Sequence, residues 1–294
     1  MKRLSRQRTM ANFDNGLAPA VEIKPGEKLI VETNLSAMPA TGPIAILGAE
    51  AGDTLVVTIH HIEVLEAHWW YFDSDNPFRR GAYQEINNHV GQYQRSVHPR
   101  LGPCIDLTIP VEDGFFVFSE RLRVPLRPMI GCIGVAPAGE AQPTNLGGHY
   151  GGNMDCRDIE PGARVYFPVA APGGLLGLCD VHGAQGDNEV FPTLDCIANV
   201  TLSADIRKGF VLPMIYVETE AYVHSIGYGT TIEEATNDAF AGMIQLLQNQ
   251  LGLGYLEAAQ LIGTSADVRI CQLVNALINM RICLPKVAVP QLAL

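Results

Sequence analysis

The run Leu55-Val56-Val57-Thr58-Ile59-His60 sets the fold class. Leu55, Val57 and Ile59 fall on one side of an extended chain and Val56, Thr58 and His60 on the other; alternation among β-branched residues marks a strand with a buried face. Outward from it, residues 114–118 are short, aromatic and β-rich, and residues 164–169, 194–202 and 214–222 repeat the pattern. Gly52, Pro125, Pro128, Pro137, Pro161, Gly162, Pro172 and Gly173 punctuate these runs, which predicts many short strands joined by turns. The expectation is a β-sandwich-like body over residues 28–223, preceded by an N-terminal arm, residues 1–27.

After Gly229 the texture changes. Thr231 with Glu234 three residues later offers a capping box, and Ile232, Ala235, Ala239, Met243 and Leu246 follow at helical spacing up to a stop at Gly252. A second helix is predicted over 255–262, ended by Gly263, and a third from 265 to about 280 with Ile270, Val274, Leu277 and Ile278 facing inward. The fold class expected is therefore mainly β with a C-terminal α-helical part, residues 224–294, and mixed α/β overall.

The 294 residues include 47% hydrophobic and 17% charged side chains, the composition of a globular, enzyme-sized chain rather than a disordered or fibrous one. Twenty Lys and Arg against 31 Asp and Glu give a net charge of -11, which repels phosphate backbones and anionic membranes and argues against a nucleic-acid partner. Residues 1–8 are basic without a following apolar run, and no stretch approaches the roughly 20 apolar residues of a membrane span, so a soluble, cytoplasmic protein is expected. The seven cysteines contain no C-x-x-C pair; reduced, packed thiols are expected, and zinc-ribbon and thioredoxin-like readings are excluded.

Chemistry concentrates between Asn145 and Glu189. Here glycines that permit close backbone approach lie among His149, Asn153, Asp155, Asp158, Asp180, His182, Gln185, Asp187 and Glu189, groups able to bind a divalent ion or move protons. Asp180 and His182, two residues apart, share one face of a strand. Asp187 and Glu189 repeat that spacing after the turn Gly183-Ala184-Gln185-Gly186. Spacing alone is met equally by metal ligation and by turn-capping aspartates beside a hydrogen-bonded histidine. Cys156 and Cys179 flank these residues as alternative nucleophiles or as packing, and no G-x-S-x-G elbow occurs. Adjacent His60 and His61 point to opposite faces, so one of them at most lines a given site. The run from His68 through Trp69 and Trp70 to Arg80 suits either a lid or local packing.

The ordered set Gly151-Gly152-Asn153-Met154-Asp155, Arg157-Asp158, Gly162, Tyr166, Pro168-Val169, Pro172-Gly173 and Asp180-Val181-His182 through Gln185-Gly186-Asp187-Asn188-Glu189-Val190 resembles the signature of the acetamidase/formamidase family. Gly42-Pro43, Ala51-Gly52-Asp53, the run from Pro128 to Ala138, Asp267-Val268-Arg269-Ile270, Val274-Asn275 and Leu284-Pro285-Lys286 extend the resemblance over roughly residues 42–286. It implies a β-rich fold with an appended helical region and hydrolysis of short linear amides, formamide and acetamide above all, to a carboxylate and ammonia. It also implies divalent ions near the Asn-Met-Asp and Asp-x-His motifs, with Asp155, Asp180 and His182 as ligands and Glu189 as a further ligand or the base. Asp187 and His182 join Glu189 as catalytic candidates; His149, Gly151, Gly152 and Asn153 are candidates for touching substrate. Such an ion lowers the pKa of bound water to about 7. A nitrogen-and-oxygen ligand set suits zinc best, and the oxygen-rich surroundings also accommodate calcium or magnesium.

Two departures stand out: Asn188 occupies a turn position where the family commonly has glycine, and Cys196 one where it usually has glutamate. Three outcomes are compatible with Cys196. Asp195 or Glu189 takes over the lost carboxylate; the enzyme acts on larger or cyclic amides, with residues 69–78 as an apolar wall; or the chain binds metal and ligand without turnover. The apolar tail, residues 287–294, points to a homo-oligomer, a dimer first, or folds back on its own core.

Overall fold

The computed structural model describes residues 1–72, 95–98, 102–190, 193–292 and 294. Eighteen strands of the described residues join in one hydrogen-bonded sheet. Its spine is the strand Thr54–Phe72, which runs antiparallel to Leu194–Arg207 from Leu194 opposite Trp69 to Arg207 opposite Thr54. The register slips between Ile197 and Ala198 and between Thr201 and Leu202; such bulges bend and twist a pair of strands and so curl the sheet.

Leu55, Val57 and Ile59 enter the main core as the alternation requires. Val56 is buried as well, because the opposite face is covered there by Tyr166, Met214, Tyr216 and the helix Ile232–Leu251. That helix begins and ends as its sequence dictates. Glu234 N donates to Thr231 Oγ1 at 3.1 Å, and Gly252 closes the C-terminus at φ 67°. The second helix, Tyr255–Ser265, runs through Gly263 instead of stopping there, and Gly254 N donates to Glu257 Oε2 at its start.

The third helix does not form. Ser265 ends the second helix, and the residues after Ala266 enter a hairpin of Asp267–Gln272 and Ile278–Pro285. Ile270, Val274, Leu277 and Ile278 mimic a helical repeat because they sample the end of one strand, the turn and the start of the next. The ladder decides the matter: Ile278–Pro285 pairs along its length with Tyr222–Gly229, which pairs in turn with Tyr216–Glu218. Residues on both sides of position 223 thus belong to the same sheet. The apolar tail folds back, with Val289, Leu292 and Leu294 buried against the helices and Tyr166 Oη donating to the Leu294 carbonyl at 3.1 Å. Among the described residues no helix is long and apolar enough to cross a membrane.

Helix and sheet meet closely at Gly227, where an added Cβ would lie 2.1 Å from Ala239 N and 2.3 Å from Ala235 O. Both are backbone atoms, which cannot rotate away. Gly227→Val is expected to lower stability by about 1–3 kcal/mol or more, read as a lower urea midpoint. Gly139→Ala, with open space around the new methyl, is expected to stay within about 0.5 kcal/mol of the parent.

Candidate metal centre

Three segments meet at Gly131. The strand Met129–Gly134 pairs on one side with Gly151–Asn153 and on the other with Leu176–His182. Asp155 follows the first of these, its backbone N and that of Met154 both donating to the Gly131 carbonyl at 3.0 and 2.8 Å. Asp180 and His182 end the second, with Met129 opposite His182. A Cβ on Gly131 would lie 2.7 Å from Asp155 Oδ1 and 3.2 Å from Asp180 Oδ2, so only glycine leaves room for both carboxylates. Both aspartates are held in the left-handed region, φ 48° for Asp155 and 57° for Asp180. Aspartate tolerates that conformation better than most residues, and strain of this kind gathers at functional sites.

The side chains converge. One ligand atom from each of Asp155, Asp180 and His182 lies within 4.8 Å of the others, and all three residues are buried. His182 Nε2 stands 3.6 Å from Asp180 Oδ2, 4.0 Å from Asp155 Oδ1 and 3.6 Å from Asp195 Oδ1. Its other nitrogen, Nδ1, is 2.6 Å from Gln185 Oε1, while Gln185 Nε2 donates to the Asp155 carbonyl at 2.6 Å. A carbonyl only accepts, so the amide oxygen must face the ring, and Nδ1 carries the proton. Gln185 therefore fixes the imidazole with Nε2 free to bind a cation, and ties the Asp155 segment to the His182 segment.

Electrostatics favour a cation here. Among the described residues no Lys or Arg pairs with Asp155, Asp180 or Asp195, and both Asp155 oxygens are buried without a hydrogen-bond partner. Burial first, then the nearby Glu189 and Asp180 carboxyls, push Asp155 well above the usual carboxylate range. Burial and Asp180 raise Asp195 to about 7. Burial opposes the charge on His182, but Asp180, Asp195 and Glu189 outweigh it and lift the imidazole to about 10. Acids that resist ionising around a histidine that clings to its proton are a set short of positive charge, and a divalent ion supplies it. The donor set fits such an ion.

The remaining candidates divide. Glu189 lies near enough to shift Asp155, Asp195 and His182, and its backbone is bound to the strand Asp267–Gln272 through Glu189 N to Cys271 O and Leu273 N to Glu189 O. Asp187 instead closes an ion pair with the fully buried Arg281, which also holds Asp158 at 2.8 Å and donates to the Ile270 carbonyl at 2.7 Å. His149 is exposed and faces Asp238 of the long helix at 2.8 Å, outside the cluster. Gly151 and Gly152, at φ 96° and 88°, let the chain pass Ile133 and Leu146, and Asn153 is buried beside them with Oδ1 unpartnered. His60 bonds Ser203, and His68 sits between Asp106 and Glu66. The loop from 73 to Arg80 lies outside the described residues.

Cys156 and Cys179 are buried; Cys271 and burial push the first thiol well up, and burial raises the second, which disfavours the thiolate a nucleophile needs. Cys196 packs in the apolar core, and Asp195, on the opposite face of the same strand, points at His182. The sequence places Gln185 only in the general inventory of the segment and does not single out Arg281, because the partners of both are distant in the chain and glutamine's reach to two segments leaves no local pattern.

The family model described as the Acetamidase/Formamidase family matches residues 138–286. The chain belongs to that family. Solved structures with the same fold include a predicted acetamidase/formamidase from Thermoanaerobacter tengcongensis, 29% identical, TM-score 0.85, covering 99% of this chain and 97% of that one. Another is the acetamidase of Bacillus halodurans, 28% identical, TM-score 0.85, covering 99% and 100%. In sequence, the formamidase of Methylophilus methylotrophus is 27% identical over 188 residues and the acetamidase of Mycolicibacterium smegmatis 28% over 195. Each match takes in 51% of this chain, and 46% and 48% of the two relatives, so the chain spans about half the length of the curated relatives it matches. As an acetamidase/formamidase family member it carries the Asp155, Asp180 and His182 cluster on a largely β scaffold.

Replacing Gln185 with Met, similar in length but without the two hydrogen bonds, is expected to weaken divalent-metal affinity about 10–100-fold. Gln185→Glu, which keeps an acceptor for His182, is expected to lose less. Competition with a chromophoric chelator measures both. Gly131→Ala is expected to abolish high-affinity metal binding, because its methyl would occupy the space of the Asp155 carboxylate.

Proposed function

We propose that this protein is a divalent-metal-dependent amidase that hydrolyses a small linear amide of the formamide or acetamide type to a carboxylate and ammonia. The observation that carries the reading is the buried meeting of Asp155, Asp180 and His182 within 4.8 Å, without a Lys or Arg partner among the described residues. Relatives named formamidase and acetamidase support the reaction class. The metal is zinc first, on its mixed nitrogen and oxygen donors, with calcium or magnesium as the oxygen-preferring alternatives. Held by these three residues, such an ion supplies a Lewis acid for the amide carbonyl and acidifies water at neutral pH.

The protein's own groups do the rest. Amide nitrogen leaves poorly unless protonated, so a carboxyl near neutral pKa must take a proton from water and pass it on. Asp195 meets that need. Its side chain is 22% exposed where Asp155 is 1%, and it faces His182 at 3.6 Å. It stands in for the glutamate that Cys196 replaces, one residue earlier and on the face that looks into the centre. Glu189 is the second acid, a ligand or a proton carrier. Asp187 acts by holding the 183–190 turn against Arg281 rather than by touching substrate.

Chelation of the purified protein is expected to abolish ammonia release from formamide and acetamide, and stoichiometric zinc to restore it. Asp155→Asn is expected to lose bound metal, measured by elemental analysis, and at least about 100-fold in kcat. Asp195→Asn is expected to retain the metal and lose about 100- to 10,000-fold in kcat. Full ammonia release in the chelated protein would refute the metal-dependent reading.

A further inference from the structure

The direction of the Asp155 carboxylate is set by a backbone held at φ 48°. Two rigid peptide planes meet at its Cα, one carrying the Met154 carbonyl and Asp155 N, the other carrying the Asp155 carbonyl. Fixing both planes fixes φ and ψ, and so the side chain. Gln185 Nε2 holds the second plane through the Asp155 carbonyl at 2.6 Å. The first is held at its nitrogen, which donates to the Gly131 carbonyl at 3.0 Å. One hydrogen bond lets a plane pivot about it, whereas a second at the opposite edge stops the rotation. That second bond is present: the Met154 carbonyl accepts from Nδ2 of Asn279 at 2.6 Å, from 125 residues along the chain.

Asn279 is built to hold still. It lies in the strand Ile278–Pro285, opposite Tyr228 of one neighbouring strand and Gln272 of the other, and it is fully buried. A carbonyl only accepts, so Nδ2 faces Met154 and Oδ1 faces away, buried without a hydrogen-bond partner. Burying an amide oxygen unpaired works against folding. What the side chain contributes is therefore its donor. Arg281, two residues on and on the same face of the strand, binds Asp158. The hairpin thus grips the segment from Met154 to Asp158 at both ends, with Asp155 between the grips.

We infer that Asn279 is a positioning residue for the metal centre: by holding the Met154 carbonyl it locks Asp155 in the left-handed conformation that brings its carboxylate to Asp180 and His182. The inference rests on the metal-dependent reading and adds to it a group from the C-terminal hairpin that orients a ligand without touching the ion. When Asn279 cannot donate, the plane between Met154 and Asp155 pivots on the Gly131 carbonyl. Asp155 then relaxes towards the negative φ that non-glycine residues prefer, and its carboxylate swings out of the cluster. Gln185 and Asn279 act on the two planes of one residue, so their effects are coupled: with either plane loose, holding the other no longer fixes the carboxylate.

The experiment measures the zinc affinity of the full chain by competition with a chromophoric chelator, together with the urea midpoint of the metal-free protein. It compares the parent, Asn279→Leu, Asn279→Ser and Asn279→Leu combined with Gln185→Met. Leucine is close in size and cannot donate; serine stays polar and is too short to reach Met154, so the result does not hang on one variant's folding. Each single variant is expected to bind zinc about 10–100-fold more weakly than the parent. With leucine the metal-free midpoint is expected to stay near the parent's, since the lost bond and the removed unpaired oxygen offset each other. The double variant is expected to lose less than the product of its two single losses. Zinc affinity equal to the parent's, single losses that multiply, or a zinc loss accompanied by a large fall in the metal-free midpoint overturns the positioning role and leaves the amidase standing. Weakened zinc in the variants, with no hydrolysis of formamide or acetamide by the loaded parent, keeps the role and removes the amidase reading. A parent that binds no divalent ion overturns both.

Discussion

The centre depends on a steric constraint: two aspartates from different strands must share the space above Gly131. A methyl group there would stand 2.7 Å from one carboxylate and 3.2 Å from the other. Because position 131 offers no side chain, Asp155 and Asp180 approach each other at positive φ, against both their conformational preference and their charge. A folded protein sustains such a pair only when something else stabilises it. Here the surroundings are a histidine raised to about 10 and carboxyls that resist ionising.

Around that pair other side chains bind the segments together. Gln185 joins the Asp155 and His182 segments with two short hydrogen bonds. Arg281, on the hairpin that follows the helices, binds Asp158 and Asp187 together and so anchors the turn carrying Glu189 from behind. A buried arginine stripped of both acids would be left with an unpaired charge, which costs more than the pairs gain. The C-terminal hairpin is thus part of the centre's support, although it contributes no group to the cluster itself.

Departure from the family pattern at Cys196 takes on a different meaning in three dimensions. Neighbouring residues on a strand face opposite ways, so Cys196 looks into the apolar core and Asp195 looks at His182. A carboxylate does face His182, from the preceding residue, and the cysteine fills a packing position whose thiol burial drives up. Asp195 stands farther from full burial than Asp155, Asp180 and His182.

By itself the sequence determined the local elements and the chemical inventory. Period-two alternation at Leu55, Val57 and Ile59, the cap at Thr231 and the stop at Gly252 are written in adjacent residues, and the spacing of Asp180 and His182 puts both on one strand. What it left open was decided by tertiary structure, because the deciding partners lie far apart in the chain. A helical spacing over residues 265–280 gave way to a hairpin, since Ile278–Pro285 pairs along its length with Tyr222–Gly229 and with Asp267–Gln272, partners that local spacing does not reveal. His149, a candidate for touching substrate beside its glycines, pairs with Asp238 on the helix, a partner far along the chain. The roles of Gln185 and Arg281, and the choice of Asp195 over Cys196, follow from register and reach across the sheet, which spacing along one segment does not encode.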